Sequence, residues 1–244
     1  SVTARTTEPY VRDTIVDREL ETTLVVDASA SMDFGTTDHT KRDLLVEGAA
    51  AMGFLATKGS GSRIGLVVGR GDEFEFVPHR GGRPHLYAVL RNLETGPEGV
   101  GPTALGPLLR HAGRLAKRRG FMVVISDFLG DSSWVRELRG LSSHHDVMAL
   151  EVVDPREMEL PDVGLITVED PETGARRLVD TGRPEIRRRY DEAAARQREK
   201  IASGIRGAGA DHLRLHTDTD WITDIVKHVL ARRRLRNARR VFSQ

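Results

Sequence analysis

Three short oxygen-bearing side chains, Asp27, Ser29 and Ser31, alternate with Ala28 and Ala30 in the stretch "LVVDASASMD". They follow directly on the apolar run 24–26, which reads as a buried strand ending at Asp27. Carboxylate and hydroxyl oxygens with no histidine or sulfur among them are hard donors, suited to Mg²⁺ or Mn²⁺ and less to Zn²⁺. The two alanines let the loop fold tightly around an ion. Asp127 follows a second apolar run, 121–125, in "VVISDF". Thr103 stands on a Gly/Pro-rich loop just before a helix in "GPTALGPLL". The candidate metal ligands are therefore Asp27, Ser29, Ser31, Thr103 and Asp127, with Mg²⁺ (or Mn²⁺) as the expected ion. Ser29 is expected at an exposed strand terminus, where its loss costs little stability.

The elements that must position these oxygens follow from hydrophobic spacing. Buried strands are predicted at 24–26, 64–68, 121–125, 147–153 and 212–215. Helices are predicted at 41–58, 86–93, 104–118, 133–141, 184–205 and 220–234, the first capped by Asp38 or Thr40. Gly69 and Gly71 turn the second strand into 73–77, an antiparallel hairpin at a sheet edge. A small hairpin, 165–168 with 177–179, interrupts the alternation. The fold class is α/β: a doubly wound, mostly parallel sheet with one antiparallel edge strand and an inserted β-hairpin. Ligands of such sheets sit outside the carboxyl ends of the strands, where Asp27 and Asp127 are placed.

Composition narrows the function. Lys and Arg number 37 against 36 Asp and Glu, so the net charge of +1 argues neither for nor against nucleic acid. The absence of cysteine excludes disulfides, thiolate metal sites and cysteine nucleophiles, and it fits a cytoplasmic location. No stretch approaches the roughly 20 apolar residues of a membrane span. The chain opens at Ser1 without methionine and reads as trimmed at its start. Residues 1–19 are expected to be an N-terminal extension, 20–236 one domain with its hairpin insertion at about 156–183, and 237–244 a basic tail.

Asp27-Ala28-Ser29-Ala30-Ser31 resembles the D-x-S-x-S of von Willebrand factor A domains, the metal-ion-dependent adhesion site. Thr103 and Asp127 match, in order and context, the threonine and aspartate that complete it. A closer resemblance spans nearly the whole chain. The segments "LVVDASASMDFGT", "KRDL", "RIGLVV", "GPTALGPLL", "VVISDF", "VVDPREMELPDVG", "VEDPETG" and "LRLHTDTDW" are similar to the bacterial domain-of-unknown-function fifty-eight family. That resemblance implies a von Willebrand A-like domain encoded beside MoxR-type AAA+ ATPases. It implies a metal-dependent protein-interaction module, not an enzyme, acting as adaptor of a MoxR-like AAA+ ATPase in remodelling or maturation of a client protein. A partner protein would supply a carboxylate to the metal, with no role for nucleic acid and no membrane segment.

The rival reading is a Mg²⁺-dependent phosphoester hydrolase using the same pocket. It lacks a lysine, histidine or arginine tied by motif to the two aspartates. A vestigial site on a structural scaffold is a third reading. Other motifs have plainer explanations. Arg70-Gly71-Asp72 is what a hairpin turn selects. Gly59-Ser60-Gly61-Ser62 lacks the ending of a P-loop. His144 and His145 at a strand start point to opposite faces and do not share an ion. The segment 227–240 carries seven positive side chains and reads as a surface helix with a basic end.

Overall fold

The computed structural model describes residues 21–36, 39–57, 61–96, 103–169 and 174–241. The sheet is built from β1 (Glu21–Asp27), β2 (Arg63–Arg70), β3 (Glu73–Arg80), β4 (Phe121–Ser126), β5 (Asp146–Val153) and β8 (Asp211–His216). Its order is β3-β2-β1-β4-β5-β8, parallel throughout except for β3, which pairs antiparallel with β2 at one edge. This is the predicted architecture. The inserted ribbon of β6 (Leu165–Glu169) and β7 (Arg176–Asp180) pairs only with itself.

Alternation along the strands divides the core into two layers. Leu24 and Val26 of β1, with Leu66, Val68, Val123 and Ile125, face α1 (Lys41–Ala56), α2 (Arg83–Thr95) and α6 (Trp221–Val241). Val25, Val67, Met122 and Val124 face α3 (Leu105–Leu115), α4 (Trp134–His144) and α5 (Pro184–Gly207). Central strands buried on both faces explain why they read as continuous apolar runs.

Thr40 is the N-cap of α1: its side chain accepts from the Asp43 amide, and Asp43 returns a bond to the Thr40 amide. The alternative cap, Asp38, lies outside the described residues. Helix α2 starts earlier than its apolar spacing, because Pro84 is tolerated in a first turn. Helix α6 runs on to Val241 through Arg-rich sequence of high helix propensity.

Strand order reverses between β1 and β4. The first connection runs from β1 outward to β2, and the chain then returns to β4 on the other side of β1. Asp27 and Asp127 end these two neighbouring strands, which puts both carboxylates at the crevice where doubly wound sheets bind ligands.

Candidate metal centre

The loop after β1 is set by its own sequence. Met32, fully buried, anchors a 3-10 turn over Ala30–Asp33, and the Met32 amide donates to the Ser29 carbonyl at 3.0 Å. Small Ala28 is buried against the sheet and donates its amide to the Gly69 carbonyl at 2.8 Å. The loop's far end is clamped by Asp154, whose carboxylate accepts from the Thr36 amide at 2.8 Å and the Thr36 hydroxyl at 2.6 Å.

Four of the five predicted ligands come together. The Ser29 and Ser31 hydroxyls are 3.0 Å apart. The Ser29 amide donates to Asp27 Oδ1 at 3.0 Å, and Ser31 hydrogen-bonds the Asp127 carboxylate. All four side chains are buried, Ser29 at 3% exposure, so its position at an exposed terminus is not what the structure shows. The 3-10 turn folds the loop back over the strand end.

Thr103 is held one strand away. Its hydroxyl accepts from the Gly71 amide at 3.1 Å and donates to the Gly69 carbonyl at 3.4 Å. Gly69 is the register partner of Asp27, so Thr103 stands at the same sheet edge as the other four. Gly71, at φ 59°, forms the β2–β3 turn, and Arg70 pairs with Asp33 at 2.8 Å. Arg70-Gly71-Asp72 is thus a hairpin turn.

Residues 1–200 of the chain match the family described as protein of unknown function DUF58. The chain belongs to the DUF58 family. An uncharacterized protein of Mycobacterium tuberculosis is 47% identical to this DUF58 chain over 236 residues, covering 96% of it and 74% of the relative. Two solved structures share its fold. The conserved hypothetical protein BatB from Bacteroides thetaiotaomicron is 14% identical, with TM-score 0.53 over 87% of this chain and 98% of that one. An aerotolerance-related membrane protein from Bacteroides fragilis is 15% identical, with TM-score 0.54 over 85% and 97%. The fold the DUF58 domain shares with these two structures is α/β, here a six-stranded mixed sheet with one antiparallel edge strand. No helix among its described residues is long and apolar enough to cross a membrane.

Electrostatics distinguish the two aspartates of the DUF58 site. Burial and the nearby charge of Asp127 push Asp27 up to about 6, against the opposing pull of the Ser126 hydroxyl and Ser29 amide. Burial also works against Asp127, but the Lys41 ammonium, the Leu129 amide and the Ser31 hydroxyl together outweigh it and hold that carboxyl below its usual range. Lys41, wholly buried, is itself raised, because Asp127 and Glu157 overcome its desolvation.

Lys41, Glu157 and Ser126 escaped the sequence reading, which found no basic residue tied to the aspartates. Lys41 donates to Asp127 Oδ2 at 2.8 Å and to Glu157 Oε1 at 2.5 Å. The Ser126 hydroxyl donates to Asp27 Oδ2 at 2.8 Å and accepts from the Phe128 amide at 3.0 Å. One signal for Lys41 was present: a cation at the first position of a helix opposes the helix dipole.

The donor set fits a small divalent ion. Neighbouring corners of an octahedron with ligands at about 2.1 Å are about 3 Å apart, the separation of the Ser29 and Ser31 hydroxyls. Two mutually repelling buried carboxylates beside them are the charge a cation would relieve. Among the described residues no group of three or more His, Cys, Asp or Glu that could hold a metal ion is present, here or elsewhere; the donors of this site are two carboxylates and hydroxyls. His145 instead accepts from the Gly120 amide, and Asp146 pairs with Arg232. A cavity of about 600 Å³ between α3 and α4 is lined by Arg114, Lys117 and His144. Basic residues near two helix C-termini complement the dipoles there, and this lining needs no ligand.

Proposed function

We propose that the DUF58 domain is a metal-ion-dependent protein-interaction module of the adhesion-site type. The observation that carries this is the pair of hydroxyls 3.0 Å apart beside two buried carboxylates at the strand-order reversal. Ser29 and Ser31 would hold Mg²⁺ or Mn²⁺ through their hydroxyls, with Asp27 and Asp127 supplying charge directly or through water. Thr103, latched to the β2–β3 turn, would join directly or through water. A bound divalent ion supplies an open coordination position for a carboxylate of a partner protein. Following the family resemblance, the partner circuit includes a MoxR-like AAA+ ATPase, with this domain as adaptor to a client in its remodelling or maturation. An interaction role is favoured over phosphoester hydrolysis because Lys41 is buried between two carboxylates and is not offered to a phosphate.

The test is a pull-down of the MoxR-like ATPase, with and without EDTA and across a salt series. EDTA and Thr103→Ala are both expected to release the complex. Moderate salt should weaken rim contacts by screening and leave the metal–carboxylate bond largely intact. A complex that survives EDTA and Thr103→Ala yet dissociates with salt would assign binding to the basic end of α6 instead. Mg²⁺-dependent turnover of a generic phosphoester, lost in Asp27→Ala, would overturn the module in favour of a hydrolase.

A further inference from the structure

The buried charges around Asp127 continue past Lys41. Glu157 Oε2 accepts from Arg198 Nη2 at 2.6 Å. Arg198 Nη1 reaches Glu151 Oε1 at 3.1 Å and the Asp127 carbonyl at 3.2 Å. Glu151 Oε2 closes the chain on Arg214 Nε at 2.9 Å, with His212 Nε2 at 2.7 Å. Asp27 stands beside this chain and is met by hydroxyl and amide donors, those of Ser126 and Ser29.

The balance of these charges is informative, because buried charge must be matched. Asp27, Asp127, Glu157 and Glu151 are four carboxylates facing three permanent cations. Counted over these seven groups, the cluster carries one negative charge in excess. A divalent ion turns that into one positive charge in excess, and one carboxylate on an incoming ligand brings it to zero. Without Lys41 the ion alone would reach zero, and an acidic ligand would then be disfavoured. Nothing in helix formation asks for a lysine at the start of α1, where the dipole opposes it. Its placement answers to Asp127 on one side and Glu157 on the other.

We propose that Lys41 is an internal counter-cation that makes divalent-ion binding conditional on an acidic ligand. Its ammonium holds Asp127 against the ion, and Glu157 is the second carboxylate that keeps it when ion and ligand bind together. This rests on the metal reading of the site and names what completes it: a ligand of one negative charge.

The experiment is Mn²⁺ titration of the purified chain, followed by loss of the free-ion EPR signal, in chloride and in acetate at equal ionic strength. Wild type is expected to bind Mn²⁺ at least fivefold tighter in acetate. Lys41→Met should bind Mn²⁺ in chloride at least tenfold tighter than wild type and gain nothing from acetate. Glu157→Gln, which leaves the ammonium to Asp127 alone, should bind at least tenfold more weakly. Opposite signs separate this role from general structural damage, which lowers both. A folded Lys41→Met with unchanged or weaker Mn²⁺ binding, or with an undiminished acetate effect, overturns the proposal. If that variant does not fold, unchanged affinity in Glu157→Gln overturns it. Mn²⁺ binding absent from every chain, or equal in wild type and Asp27→Asn, defeats the metal reading itself. Mn²⁺ binding that needs Asp27 but ignores Lys41 defeats only the counter-cation.

Discussion

At the residue scale, the site depends on the side chains that hold Asp27 and Asp127 in place as much as on those two carboxylates. Ser126 satisfies one Asp27 oxygen and the Phe128 amide at once. Phe128 sits at φ 55°, an uncommon conformation for a bulky residue, and is held there by that bond and by an edge-on contact with Trp134 at 5.1 Å. Ser126→Ala leaves two buried polar groups unmet and should cost about 1–3 kcal/mol in urea melts. Ser29→Ala removes a buried hydroxyl bonded to Ser31 and should cost about 1 kcal/mol, above the ~0.5 kcal/mol of a surface change. Asp154 gives a pH test. Burial opposes its charge, but donors from Thr36, Arg156 and Thr217 hold its carboxyl below the usual range. A depressed folded pKa adds stability above the unfolded value of 3.8, lost as pH falls through the folded one. Asp154→Asn should therefore be about 1–3 kcal/mol less stable than wild type at pH 7. The gap should narrow below about pH 4. A gap constant from pH 7 to pH 3 would show that the charge of Asp154 contributes nothing.

At the element scale, α1 both closes the loop after β1 and delivers Lys41. Its capping box, Thr40 with Asp43, fixes the first turn from which Lys41 reaches the sheet edge. Thr40→Ala should cost about 1 kcal/mol with an unchanged denaturant slope. The β6–β7 ribbon is different in kind. It is joined to no other strand, and Leu165 and Leu178 are about two-thirds exposed, at 67% and 70%. Its base is tied by the Thr181 hydroxyl, which donates to the Gly164 carbonyl at 2.7 Å and accepts from the Val163 amide at 3.1 Å. Replacing Leu165 and Leu178 together by Lys should shift stability by no more than about 0.5 kcal/mol. A large loss would mean the ribbon packs on the domain in solution.

At the scale of the whole molecule, one sheet serves two helix layers, and the charge chain from Asp127 to Arg214 crosses from β4 to β8 through α5. Neither layer can lose its strands without unpacking the other, so unfolding should be a single transition. The two tryptophans report the layers separately: Trp134 is buried with α3 to α5, and Trp221 packs on the α1 side. Trp134→Phe and Trp221→Phe variants should each show fluorescence and far-UV circular dichroism midpoints that coincide in urea. Probes separated within either variant would reveal two independently unfolding layers.

What the sequence determined by itself was local. An apolar run ending in aspartate is a buried parallel strand delivering a carboxylate to a sheet edge, because both strand faces are covered by helices. This made Asp27, Asp127 and the fold class legible, and a cap at Asp38 or Thr40 likewise announced the start of α1, where the structure uses Thr40. Partners far apart in the chain were decided only by the tertiary structure. Lys41 meets Asp127 across 86 residues and Glu157 across 116, and no spacing rule links such positions. They meet because the strand order sets β4 beside β1, and because the turn after β5 carries Glu157 to the same edge. The burial of Ser29 was hidden for the same reason: a loop's exposure depends on what folds over it, and Met32 could be seen to pin that loop only once its place in the core was known.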